Sequence, residues 1–137
     1  MSSEKKIKVL VVDDESDMVI FLSTLLNAHG FDPIIAGDGQ EGFEKARKES
    51  PACIILNAMM SDDSGIDLYV RLKRDQHLRN VPVIMLSAIA SKTFFQYRKF
   101  QGISSAGQGI PEPEAYLESP PETGELIRQV QELVSEK

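Results

Sequence analysis

Cys53-Ile54-Ile55-Leu56-Asn57 is the stretch on which this chain turns: four residues of buried-strand character, closed by an amide. A short apolar run between polar punctuation fits a strand covered on both faces. A second such run, Ile7 to Val12, ends on the acid pair Asp13-Asp14. Two strand ends carrying three carboxylates could hold a divalent cation and offer one carboxylate as a nucleophile for phosphoryl transfer. At position 57 the third group is an amide. Its nitrogen is a poor nucleophile at phosphorus, and its oxygen brings no charge to a cation. The residues describe a phosphoryl-transfer pocket without its acceptor.

Outward from these two runs, apolar strands alternate with helical patterns, the signature of βαβ units and a mainly parallel sheet. The first strand is expected over Lys6 to Val12. A helix follows from about Glu15, because Met18, Leu22, Leu25, Leu26 and His29 fall on one helical stripe and Gly30 supplies the stop. His29, at the end of that stripe, is expected to be partly packed or exposed. Phe31 to Ala36 is the second strand, and Pro33 places it at a sheet edge. Asp38-Gly39 turns the chain into a helix over Gln40 to Lys48, with Phe43 and Ala46 inward. The third strand runs from Ala52 to Asn57. A loop, Ala58 to Ser64, leads to a helix with an Ile66, Tyr69 and Val70 stripe, and Val81 to Ser87 is the fourth strand.

From Ala90 a helical stretch carries Phe94, Phe95, Tyr97 and Phe100, a dense aromatic cluster that reads first as packing of an extended helix and second as an altered docking face with one or two aromatics exposed. Gly102, Gly107, Gly109, Pro111 and Pro113 then mark a loop. With few apolar residues to bury, it is where the lowest local stability is expected. Ala115 to Glu118 is a short last strand. The final helix starts near Glu122 and carries Leu126, Ile127, Val130, Leu133 and Val134 on one side. The expectation is five strands and five helices in a single domain, which suits a length of 137 residues.

Composition excludes several functions. A formal charge of −6 speaks against a nucleic-acid surface, which needs clustered Lys and Arg. The basic pairs Lys5-Lys6 and Lys73-Arg74 are short and read as solvated faces. Cys53, the one cysteine, sits in a buried strand, so no internal disulfide exists and a reducing cytoplasm fits. No stretch reads as a signal peptide or membrane span. A soluble, cytoplasmic protein is expected.

In an open α/β sheet, ligands collect at the carboxyl ends of the strands, near the point where strand order reverses. Asp13-Asp14, Asn57, Ser87 and Ser119 all lie at or just beyond such ends. Singly each has a bland reading, Asp14 as a helix N-cap and Ser87 as a loop serine. Their coincidence at four strand ends points to a site.

The chain resembles the receiver domain of two-component response regulators, the CheY-like family. The resemblance rests on Lys8-Val9-Leu10-Val11-Val12-Asp13-Asp14-Glu15 and on Ile54-Ile55-Leu56-Asn57-Ala58-Met59-Met60 followed by Gly65. It continues through Val81-Pro82-Val83-Ile84-Met85-Leu86-Ser87-Ala88 and Ala115-Tyr116-Leu117-Glu118-Ser119-Pro120. It implies a flavodoxin-like, doubly wound parallel sheet of order 2-1-3-4-5 and a stand-alone receiver with no output domain. It also implies that Asp13 and Asp14 are metal-binding acids and that Met59 lends its backbone carbonyl to the metal. Ser87 corresponds to the hydroxyl that follows the phosphoryl group, and Tyr116 to the aromatic switch. Partners would be a histidine kinase or a downstream target, met through the face of the fourth helix, fifth strand and fifth helix. The surplus around Gln101 to Glu114, long for the family, falls on that face.

Two positions depart from the pattern. Asn57 stands where the family has its phosphorylated aspartate, and Ser119 where it has a lysine. The departures match, since losing one negative charge at 57 lessens the need for a positive one at 119. A phosphorylation-independent pseudo-receiver is therefore expected, not an enzyme, acting by protein contact. Weak Mg2+ binding through Asp13, Asp14 and the amide oxygen of Asn57 is expected, with no organic cofactor. Two other readings compete with this one. The first is a phosphorelay component that uses deamidated Asn57 or a neighbouring acid such as Asp62. The second, a flavodoxin-like cofactor-binding protein, lacks any glycine-rich phosphate loop after the first strand.

Overall fold

The computed structural model describes residues 6–60, 64–87 and 112–135. Five strands, β1 (Ile7–Val12), β2 (Phe31–Ala36), β3 (Cys53–Asn57), β4 (Val83–Ser87) and β5 (Ala115–Glu118), form one sheet in the order β2-β1-β3-β4-β5. Every neighbouring pair is parallel. Four helices accompany them among the described residues: α1 (Ser16–Ala28), α2 (Gly39–Glu49), α3 (Ser64–Arg74) and α4 (Thr123–Ser135). The helix expected from Ala90, its aromatic cluster and the surplus up to Pro111 lie outside the described residues, as does Asp62.

Side chains on a strand point alternately to opposite faces, and the sequence of β1 divides accordingly. Leu10 and Val12 join Ala46, Leu56, Leu68, Tyr69, Leu72 and Met85 in the core under α2 and α3. Val9 and Val11 join Leu22, Leu26, Ile55, Ile84, Leu126 and Val130 in a second core under α1 and α4. Burial on both faces explains why β1, β3 and β4 read as continuous apolar runs. Cys53 is fully buried in the second core, so its role is packing. Pro33 lies on β2, an edge strand as expected.

Local chemistry sets the helix ends. Gly30 takes φ +86°, the left-handed conformation that lets the chain leave α1 and enter β2. The ring of His29 is exposed and lies 3.0 Å from the Leu25 carbonyl. Asp38, expected in a turn, caps α2 by accepting the Glu41 N–H at 2.8 Å, while Glu41 accepts the Gly37 N–H at 2.8 Å. On α2, Ala46 is fully buried, and the half-buried Phe43 lies beneath the Arg71 guanidinium, 4.1 Å from the ring centroid.

Two expectations need correction. β4 begins at Val83 rather than Val81, because Val81 closes a turn with its N–H on the Leu78 carbonyl. Lys73 is not on a solvated face. Its side chain is 1% exposed, and Nζ donates to the Val81 carbonyl and to both carboxylate oxygens of Glu114, each at 3.2 Å. Glu114 also accepts the Val83 N–H at 2.8 Å. One charged pair thus ties α3, the start of β4 and the start of β5.

Candidate functional site

Parallel register brings the sequence-predicted residues to one end of the sheet. Val12 pairs with Leu56, Asn57 with Leu86, and Ser87 with Glu118, so Asp13, Asn57, Ser87 and Ser119 all fall at the carboxyl ends of their strands. Backbone bonds fix the same end. The Asp13 N–H donates to Ala36, that of Ala58 to Leu86, and that of Ser119 to Ser87.

Asp13 is 3% exposed, and its Oδ1 accepts two hydrogen bonds. One comes from the Glu15 N–H at 3.0 Å and the other from Nδ2 of Asn57 at 3.1 Å. Burial pushes its carboxyl above the usual aspartate range; the two donors pull it back, and the charge of Asp14 raises it further. Asp14 itself is exposed. The other end of the Asn57 amide is engaged as well, since Oδ1 accepts the Met59 N–H at 2.9 Å. Reversing the amide would set oxygen against a carboxylate and NH2 against an N–H, so the hydrogen bonds fix its orientation.

The approach of α3 to this strand end depends on Gly65. A Cβ there would stand 2.5 Å from the Asn57 carbonyl oxygen and 2.9 Å from that of Ala58, closer than any real Cβ contact. Met59, between the two elements, is 48% exposed. On the far side Ser87 is buried, and Tyr116 packs against the α2/α3 core. Burial pushes the Tyr116 phenol up to about 12, and the neighbouring Ser87 side chain works the other way. The two positions named as a switch are therefore in contact.

Magnesium takes hard oxygen donors, often one or two carboxylates plus several waters. Asp13 and Asp14 supply that chemistry. The side chain of Asn57 does not, because it turns nitrogen toward Asp13 and oxygen toward Met59. To act as an oxygen ligand the amide would have to give up the Met59 N–H. What sequence reading missed is this amide bridge and the Lys73–Glu114 pair, whose partners lie 44 and 41 positions apart and leave no local pattern.

Residues 9–103 match the family described as the response regulator receiver domain. The transcriptional regulatory protein PhoP for alkaline phosphatase synthesis, from Bacillus subtilis, is 38% identical over 81 residues. That match covers 59% of this chain but 33% of PhoP, so the chain spans about a third of that relative's length. The receiver domain of Francisella response regulator 1452 superposes with a TM-score of 0.75 at 31% identity, covering 96% of this chain and 98% of that one. The receiver domain of sensor histidine kinase PA1611 from Pseudomonas aeruginosa, solved with magnesium in its active-site cleft, shares the fold at TM-score 0.76. Its identity is 20%, and the match covers 96% of this chain and 99% of that one.

Proposed function

Because the chain belongs to the response regulator receiver domain family, a family of two-component signalling modules, we propose that it signals there without aspartyl phosphorylation. The observation that carries this reading is Asn57. It occupies the strand end where a receiver presents its acceptor carboxylate, and both ends of its amide are engaged within the protein. An amide in that position cannot form an acyl phosphate, since no carboxylate oxygen is available to attack phosphorus. Asp13 and Asp14 are the cation acids of the proposal, Met59 the carbonyl donor, and Ser87 with Tyr116 the pair that couples pocket to surface. Ser119 takes the place of the lysine that would pair with phosphoryl oxygens. When bound, a magnesium ion would offset the charge of Asp13 and Asp14.

Without a phosphoryl group, the conformation is set by whatever binds one state better than another. A partner protein at the face built on β5 and α4 is the proposed input and output, with histidine kinases and downstream effectors as its class. Weak Mg2+ binding, no organic cofactor and a cytoplasmic setting complete the proposal, and the receiver domain carries out no catalysis of its own. No helix among the described residues is long and apolar enough to cross a membrane. The test is a 1H–15N correlation spectrum with and without acetyl phosphate at constant Mg2+. The amides around Ser87 and Tyr116 should keep their positions. Shifts that spread from Asn57 to Tyr116 on adding the phosphodonor would show a phosphorylation switch and end the reading.

A further inference from the structure

We propose that the Asn57 amide does within this chain what a divalent cation would do, tying the Asp13 carboxylate to the backbone that follows β3, so that a cation coordinating Asp13 Oδ1 or the amide oxygen has to break this bridge. The inference rests on the reading of Asn57 as the residue at the acceptor position, and it names how that pocket is held.

The bridge has two halves, both within hydrogen-bond distance. Nδ2 reaches Asp13 Oδ1 at 3.1 Å, and Oδ1 takes the Met59 N–H at 2.9 Å. Together they join the end of β1 to the residue two places beyond β3. A hydrogen bond to an ionised group is stronger than a neutral one, and Asp13 is a buried carboxylate with a real need for donors. Its Oδ1 already accepts the Glu15 N–H at 3.0 Å, so the amide supplies a second donor to the same oxygen. An aspartate at position 57 would do the reverse. It would set a second carboxylate against Asp13 and offer no N–H, leaving both oxygens in need of a cation. The aspartate pocket needs a metal to be satisfied, whereas the asparagine pocket supplies Asp13 Oδ1 with donors of its own.

The amide therefore competes with the cation. Coordination of Asp13 Oδ1 has to displace Nδ2, and coordination by the amide oxygen has to displace the Met59 N–H and reverse the amide. Either route forfeits a hydrogen bond that the metal-free protein makes, and keeping the bridge leaves a cation only Asp13 Oδ2 and Asp14 on these strand ends.

Calorimetric titration of the whole chain with MgCl2 tests this, comparing wild type with Asn57→Ala. If the amide is a competitor, removing it frees Asp13, and the alanine variant binds Mg2+ more tightly by roughly fivefold, the value of one ordinary hydrogen bond. If the amide oxygen is a ligand, the variant binds more weakly than wild type, and the inference is overturned. Equal affinities would overturn it as well. Thermal melting gives a second measurement that stands if the alanine variant folds poorly. The wild-type melting temperature should be indifferent to Mg2+ that visibly stabilises Asn57→Asp, and equal stabilisation of the two would refute the bridge. A shift spreading to Tyr116 with phosphodonor would end the phosphorylation-independent reading but leave the order of these affinities untouched. Weaker binding by Asn57→Ala would sink the bridge and leave that reading in place.

Discussion

Replacing Lys73 by methionine removes a charge from a site that admits almost no water. Methionine keeps the length and volume of the aliphatic stem, so the change isolates the ammonium. That ammonium donates to the carbonyls of Arg79 at 3.3 Å and Val81 at 3.2 Å and to both oxygens of Glu114. Taking one partner from a fully buried ion pair costs about 3–5 kcal/mol. Here the Glu114 side chain is 35% exposed and can turn its charge to water, so a loss of about 2–3 kcal/mol is expected. For a domain of this size that lowers the melting temperature by roughly 6–10 °C. Glu114→Gln should cost less, about 1–2 kcal/mol, because an amide oxygen can still accept the Val83 N–H. Urea denaturation followed by circular dichroism measures both. Hydrogen exchange adds location, since Glu114 immediately precedes β5 and the amides from Tyr116 to Glu118 should be deprotected before those of β1. A Lys73→Met protein as stable as wild type would refute the reasoning. It would mean that desolvating the ammonium costs as much as its partners return.

Gly65→Ala should disturb both stability and the pocket, because its Cβ would sit 2.5 Å from the Asn57 carbonyl oxygen and only backbone movement relieves that. A loss of about 1–3 kcal/mol with shifted Asn57 side-chain NMR signals is expected, and an unperturbed spectrum would contradict the close approach. Asp13 should titrate above exposed aspartates, chiefly because it is buried. The folded chain then holds this proton more tightly than the unfolded one, so the ionised group opposes folding at neutral pH. That opposition is relieved as pH falls through the raised value toward the unfolded one. Carbon-detected titration should also show a further rise in Asn57→Ala, where a donor is lost, and a fall there would contradict the hydrogen-bond assignment. The double change Asn57→Asp with Ser119→Lys should restore a phosphoryl adduct detectable by mass, and its absence would mean that further groups in the pocket have diverged.

Much of the fold was legible because its signals are local. The apolar runs of β1, β3 and β4 mark strands buried on both faces, and Pro33 marked β2 as an edge. The strand order itself followed from resemblance, since periodicity says nothing about which strands become neighbours. At the site, Asp13, Asn57 and Ser87 were identifiable because each ends a strand, and parallel register gathers strand ends without any local cue. Hydrogen-bond direction was not legible. The residue types at 13 and 57 are compatible with an amide oxygen turned to a cation or an amide nitrogen turned to a carboxylate, and only the Met59 N–H decides between them. Lys73 was misread for a related reason. Beside Arg74 it looks like surface charge, and the carboxylate that lets it stay buried is Glu114, 41 positions away and just before β5.

Whether this pocket accepts a phosphoryl group is answered by the intact mass of the wild-type chain after incubation with acetyl phosphate and Mg2+. With an amide at position 57 and its nitrogen held by Asp13, the mass should remain that of the unmodified polypeptide. A gain of one phosphoryl group, mapped by fragmentation to Asn57, Asp13, Asp14 or any other residue of the pocket, would contradict the account.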